Sequence, residues 1–159
     1  MAKFTLELPS TVIEEMQFVD KNAERIFGAM TTAGAKVVES EIRGRLPNSK
    51  LVDKVHMTRV YKTPTDGGIN TKVYISGYIP FSDPNRKYFA RRGKNGGKVY
   101  RTSKGVPAEF IANLYEYGRS TSPFPKKPFL RKAFGQTAKI KRAMLEEQKT
   151  ASGGILDDD

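Results

Sequence analysis

Residues 114–134, LYEYGRSTSPFPKKPFLRKAF, join two apolar patterns through a polar, proline-rich segment. The first pattern ends a short helix predicted over 107–117, which Pro107 opens and Gly118 closes. Pro128 is expected to open the last helix, which carries residues at heptad spacing: Leu130, Ala133, Thr137, Ile140 and Met144. The segment between the two helices is therefore an elbow. The residues leave three roles open for it: an active-site loop, a nucleic-acid clamp, or a joint between copies of the protein.

A much longer helix is predicted near the N-terminus. Thr11 and Glu14 form a capping box directly after Pro9, and the helix is expected to run to about Arg45, before Pro47. Its apolar stripe has heptad spacing: Val12, Met16, Val19, Ala23, Ile26, Met30, Ala33 and Val37. Such a helix would be about 50 Å long. Two alternatives follow: it lies across a sheet of its own subunit, or it also packs against a neighbouring subunit.

Two runs in the middle of the chain predict antiparallel strands. Residues 51–63 and 69–79 are rich in β-branched and aromatic residues, and the pair Asp66-Gly67 between them is a strong hairpin signal. A third segment, 84–105, predicts a small basic hairpin with the sequence GKNGG at its tip. The fold class is therefore α+β.

The expected architecture has a long N-terminal helix and a C-terminal helix packed on a small antiparallel sheet, with a protruding basic hairpin. Residues 1–149 are expected to form a single domain, because this length suits one hydrophobic core. Residues 150–159 are expected to form a flexible acidic tail.

Positive charge is concentrated in the second half of the chain. The net charge is +11, and residues 84–145 carry 16 Lys or Arg against 2 Asp or Glu. Such a surface predicts an anionic partner, either nucleic acid or an acidic protein. The predicted contacts are the cations of the basic hairpin: Arg86, Lys87, Arg91, Arg92, Lys94, Lys98, Arg101 and Lys104.

Catalytic and membrane functions are poorly supported by the composition. The sequence has no cysteine, and its single histidine, His56, lies in a predicted strand, so Ser-His and Cys-His catalytic groups and zinc sites have few ligands to use. We therefore expect no enzymatic activity, no cofactor and no metal. The sequence shows no membrane span and no signal-peptide pattern, which predicts synthesis in the cytoplasm.

The elbow and its flanks resemble the tail-component family of tailed bacteriophages, which includes tail-completion and neck proteins. The family signature reads approximately Glu-x-Gly-Thr-Ser, then a few residues with Pro, then Pro-Phe-Leu-Arg-Pro-Ala. The matching positions here are Glu116, Gly118, Ser120, Pro125, Pro128, Phe129, Leu130, Arg131 and Ala133. Leu51 and Asp53 also resemble the residues at the corresponding positions of the family's first strand. Arg119 and Lys132 depart from the pattern, and residues 84–105 have the character of an insertion.

The resemblance implies a virion structural protein that assembles in the host cytoplasm into a ring, expected to be a hexamer, at the head–tail junction. Its implied partners are copies of itself, the head-closure (stopper) protein, and the tail terminator or tail tube protein, around the DNA channel. Within the elbow, Phe129, Leu130 and Phe134 are expected to be buried, and Glu116 and Arg131 to pair. The alternative is a small basic nucleic-acid-binding protein, in which Tyr88, Phe89 and Tyr100 would stack on bases between the hairpin cations.

Overall fold

The long helix predicted from the heptad stripe is present in the computed structural model, where α1 spans Ser10–Arg45. It begins two residues earlier than a cap at Thr11 predicts, because the backbone amides of Val12 and Ile13 both donate to the carbonyl of Pro9. Thr11 therefore lies in the first turn and does not occupy the cap. The helix ends at the predicted residue, directly before Leu46 and Pro47.

The structure describes residues 9–81, 87–92, 94–102, 105–119 and 126–154, with the backbone alone for 87–92 and 99–102. Two compact units divide the chain. The first comprises Met1–Val37, Thr58–Lys72 and Thr137–Asp159, and the second comprises Val38–Met57 and Val73–Gln136. Both units draw on α1, since the helix continues from the first into the second.

The remaining elements are short. In chain order they are a 3₁₀ helix Ser49–Lys54, strands β1 Val55–Met57, β2 Tyr61–Lys62, β3 Ile69–Asn70, β4 Val73–Ile75, β5 Tyr78–Ile79, β6 Lys87–Arg92, β7 Lys98–Thr102 and β8 Val106–Pro107, and helices α2 Ala108–Tyr117, α3 Leu130–Phe134 and α4 Thr137–Ser152. The mixed α+β class predicted from the sequence is confirmed.

The strands of the described residues pair as four antiparallel two-stranded sheets, β1–β4, β2–β3, β5–β8 and β6–β7. The predicted hairpin at Asp66-Gly67 is confirmed, with Lys62 opposite Ile69. Gly67 has a φ of +67°, and the Asp66 carboxylate accepts the amide of Gly68. The strand predicted from residue 51 was wrong at its start. Residues 51–54 are in the 3₁₀ helix, which the Asn48 side chain caps through the Lys50 amide.

The first unit packs α4 against the middle of α1 through a glycine. A Cβ at Gly34 would lie 3.0 Å from Cγ of Met144 and 3.4 Å from a methyl group of Ile140, so the missing side chain permits close helix packing. The Arg25 guanidinium also donates to the carbonyl of Ala151 at 2.8 Å. Ile140 and Met144, which the heptad pattern singled out, thus pack against α1 and are half-buried.

The second unit has its core beneath the 3₁₀ helix and α2. Leu51, Ile79 and Ala108 are buried together, and Ile75 and Ile111 pack against them. Burial of this kind contributes roughly 1.5–3 kcal/mol for each large apolar side chain. This core fixes the start of α2, and α2 in turn positions the elbow.

The predicted last helix is divided into α3 and α4. Gly135 and Gln136 separate the two, and the Gly135 amide donates back to the carbonyl of Arg131. The predicted opening at Pro128 is also displaced, because Phe129 is the N-cap residue. At the other end, α4 continues to the buried Ser152, three residues into the segment predicted as a tail.

Candidate functional site

The centre of the elbow is the carboxylate of Glu116, which is almost completely buried (1 % exposed). Its Oε2 atom accepts the backbone amides of Phe129 at 2.8 Å and Leu130 at 2.9 Å. Its Oε1 atom accepts the amide of Arg131 at 3.3 Å. One side chain of α2 thus binds three consecutive amides at the start of α3.

Helix geometry explains why a carboxylate occupies this position. The first amides of a helix have no carbonyl partner within it, and they carry the positive end of the helix dipole. Phe129, the N-cap residue of α3, has an apolar side chain and makes no capping hydrogen bond. Glu116 supplies the missing acceptor from a different helix, and hydrogen bonds to a charged acceptor are among the stronger ones in proteins.

The predicted pair between Glu116 and Arg131 is present, but it is the weaker part of the arrangement. The Nε atom of Arg131 lies 3.6 Å from Oε1 of Glu116, and the Arg131 side chain is 68 % exposed. The guanidinium also lies over the ring of Tyr117, 5.6 Å from its centroid. The backbone amides, which sequence reasoning missed, are the closer partners of the carboxylate.

Both ends of the elbow are attached to the last turn of α2. Gly118 ends the helix with φ +81° and ψ −172°, and its amide donates to the carbonyl of Leu114 at 2.8 Å. The amide of Lys127 donates to the carbonyl of Tyr115 at 2.8 Å. The chain therefore leaves α2 at a glycine and returns to the same turn nine residues later.

The other signature residues differ in their surroundings. Phe129 and Ala133 are fully buried, while Pro128 and Leu130 are half-buried. The prediction that Phe134 is buried was wrong, because its side chain is 54 % exposed. The two remaining matches, Ser120 and Pro125, lie outside the described residues.

The basic hairpin is confirmed at the level of the backbone. Strands β6 and β7 pair antiparallel, with Arg91 opposite Val99 and Arg92 opposite Lys98, and the register shifts between Phe89 and Arg91. The side chains of Lys94 and Lys98 are exposed. Of the other predicted contacts, Lys87, Arg91, Arg92 and Arg101 are described by their backbone, and Arg86 and Lys104 lie outside the described residues.

A second cationic surface lies in the second unit, and sequence reasoning did not assign it. A cleft of about 370 Å³ is lined by Arg45, Pro47, Lys126, Lys127, Pro128 and Lys132. The Arg45 guanidinium is already paired with Glu41 at 2.9 Å. The sequence shows the positive charge of this cleft as the KKP segment of the elbow, residues 126–128. It does not show that Arg45 and Pro47, about 80 residues earlier in the chain, line the same cleft.

Within the described residues, the chemistry is that of a folded scaffold. His56 is exposed on β1, and its ring lies 5.7 Å from the ring of Tyr74 on the paired strand. No three His, Cys, Asp or Glu side chains in the described part of the chain are arranged to hold a metal ion. No described helix is long and apolar enough to span a membrane.

Comparisons of the chain with protein-family models, with curated proteins and with solved structures found no match.

Proposed function

We propose that this chain is a non-enzymatic structural protein of a bacteriophage virion. In this proposal it forms a ring at the head–tail junction and joins the head-closure protein to the tail terminator around the DNA channel. The observation that carries the proposal is the Glu116 elbow. Its signature residues were identified by resemblance alone. In the structure, Glu116 joins the end of α2 to the start of α3 through hydrogen bonds to the amides of Phe129, Leu130 and Arg131.

The elbow supports a structural role because its carboxylate is fully engaged. Three amides and a guanidinium surround Glu116, and the side chain is buried. A general base needs access to a substrate proton within hydrogen-bond reach. Glu116 instead fixes the direction in which α3 leaves the elbow, which is what a subunit with a defined assembly geometry requires.

The proposal is tested by deleting the gene from the parent phage and examining the lysate by electron microscopy. We expect DNA-filled heads beside separate, finished tails, and we expect the wild-type gene supplied in trans to restore joined particles. Normal joined particles in the deletion lysate would exclude a role at the junction.

The same complementation assay tests the basic hairpin. Replacement of Arg91, Arg92 and Lys94 by glutamate is expected to prevent joining, because the hairpin would then repel an acidic partner surface or DNA phosphates. A matched control carries Lys36→Glu, Lys50→Glu and Lys141→Glu, three exposed cations elsewhere in the chain. Undiminished joining by the hairpin variant would remove the hairpin from the mechanism.

The second candidate function is nucleic-acid binding, which the exposed Lys94 and Lys98 of the hairpin favour. A sequence-specific DNA-binding protein prefers one duplex among several at a fixed salt concentration, while phosphate contacts alone give weak binding that falls steeply with salt. Binding measured by fluorescence anisotropy on several duplexes across a salt series separates the two. Strong preference for one sequence would favour this function over the structural one.

A further inference from the structure

The first turns of α1 carry an apolar face that the described residues of the first unit leave partly exposed. Met16 is 62 % exposed, and Ile13 is also exposed. A shallow groove of about 420 Å³ runs along this part of the helix, and its lining residues are Val12, Glu15, Met16, Val19, Asp20 and Ala23. The apolar residues keep the heptad spacing that is typical of helices packed against another protein surface. We call these six residues the α1 face.

The charge of the α1 face constrains its partner. Residues 12–23 contain three acidic side chains, Glu14, Glu15 and Asp20, against the single Lys21. Two copies of the face brought together about a twofold axis would therefore place like charges opposite each other, which opposes association. An apolar surface with a cationic rim is a better partner.

The cationic cleft of the second unit has that composition. Lys126, Lys127 and Lys132 surround it, and Pro47 and Pro128 line it with apolar rings. The aliphatic stems of lysine side chains also cover apolar surface while their ammonium groups stay in water. The cleft thus combines two proline rings with a positive rim, whereas the α1 face has an apolar centre and a negative rim.

We propose that the α1 face of one copy docks into the cationic cleft of a second copy, so that the chain self-associates head to tail. Each copy then offers one free face and one free cleft, which is the heterologous type of contact that generates rings or filaments. The inference names the surfaces for the self-assembly contained in the proposed function. A second copy is favoured over DNA as the occupant, because the charges of the α1 face and the cleft are complementary and because no described residue of the cleft lining has an aromatic ring on which a base could stack.

A charge exchange between the two surfaces tests this contact. The face variant carries Glu15→Lys and Asp20→Lys, the cleft variant carries Lys126→Glu and Lys127→Glu, and a third protein carries all four changes. Sedimentation velocity over a concentration series at fixed salt measures the dissociation constant of each. We expect both two-site variants to associate at least about tenfold more weakly than wild type, and the four-site variant to recover, because its charges are again complementary.

A control with Glu109→Lys and Lys141→Glu carries the same kinds of change at exposed positions of α2 and α4, and we expect it to associate as wild type does. Far-UV circular dichroism checks that every variant is folded. A wild-type protein that stays monomeric at all concentrations, two-site variants that associate normally, or a four-site variant that fails to recover would each overturn the contact. Loss of DNA binding by the cleft variant of a monomeric protein would identify nucleic acid as the occupant instead.

The contact between copies and the role at the head–tail junction can fail independently, and the experiments distinguish the two failures. If the wild-type protein associates but charge exchange has no effect, the contact lies elsewhere and the junction role stands. If charge exchange behaves as expected but deletion of the gene still gives joined particles, the contact stands and the junction role fails.

Discussion

The elbow and the first turns of α1 differ in which side chains they bury and which they expose. At the elbow, a charged carboxylate is buried and surrounded by donors, and Phe129 and Ala133 are buried nearby. At the start of α1, apolar side chains such as Met16 are exposed beside exposed acidic residues. Burial of an ion is costly unless it is fully hydrogen-bonded, and exposure of an apolar stripe is unfavourable unless something covers it.

This difference in burial indicates that some residues determine the fold of one subunit and others determine its contacts with other molecules. The elbow specifies the shape of one subunit, since its contacts are satisfied within the chain. In our proposal, the contacts of the α1 face are completed by a second copy of the chain. Changes in the elbow should therefore alter the free energy of unfolding, and changes in the α1 face should alter association.

The largest effect is expected for Glu116→Ala. This change leaves the amides of Phe129, Leu130 and Arg131 without their acceptor. Each donor that stays buried without a partner costs about 1–3 kcal/mol. Urea unfolding followed by circular dichroism measures the loss. The matched control is Glu109→Ala, an exposed carboxylate in the first turn of the same helix, which should cost at most about 1 kcal/mol. Equal losses for the two variants would contradict the central role of the elbow carboxylate.

A smaller but definite loss is expected for Gly118→Ala. The backbone of Gly118, with φ +81° and ψ −172°, occupies a region that residues with a Cβ rarely adopt, and strain of this kind costs about 1–3 kcal/mol. The same unfolding assay applies. Gly44→Ala serves as the control, because a Cβ at this position of α1 meets nothing within 4 Å and alanine favours the helix. A stable Gly118→Ala protein would mean that the elbow tolerates a different exit from α2.

The helices could be predicted from the sequence because their signals are local. The heptad stripe of α1 and the stop before Pro47 placed its end at Arg45, and Gly118 correctly ended α2. The break at Gly135 was missed, since the spacing from Ala133 to Thr137 continues the heptad pattern across it. The periodicity of apolar residues indicates which residues face the core. It does not indicate whether the backbone between those residues remains helical.

The candidate site was predicted less completely because its contacts are non-local. The signature singled out Glu116, and Arg131 was expected as its partner. The hydrogen bonds that Glu116 accepts come from backbone amides. Nearly every residue type has a backbone amide, so the sequence does not show which residues donate. Likewise, Arg45 and Lys132 line one cleft although they are far apart in the chain. Such convergence follows from the fold, and residue patterns alone do not give it.

A small effect is expected for Arg131→Gln, although the resemblance gives Arg131 and Glu116 equal standing. The guanidinium is mostly exposed and 3.6 Å from the carboxylate, and exposed pairs of this kind contribute about 0–1 kcal/mol. Urea unfolding of Arg131→Gln beside Glu116→Ala measures the contrast. A loss above about 2 kcal/mol would show that the ion pair matters more than its exposure indicates. Near-normal stability combined with failed joining of heads and tails would assign Arg131 to a contact with another protein.

The smallest effect on folding is expected for Met16→Gln. Because the side chain is 62 % exposed, a polar replacement of similar length should change the free energy of unfolding by no more than about 0.5 kcal/mol. Association should nevertheless weaken severalfold, because the centre of an interface contributes more to binding than its rim. The control is Ile26→Ala, on the same stripe but buried at 1 % exposure, which should cost about 2–5 kcal/mol in stability. If Met16→Gln destabilises the fold as much as Ile26→Ala does, the first turns of α1 are part of the subunit core. The contrast between a region that shapes the subunit and a region that joins subunits would then disappear.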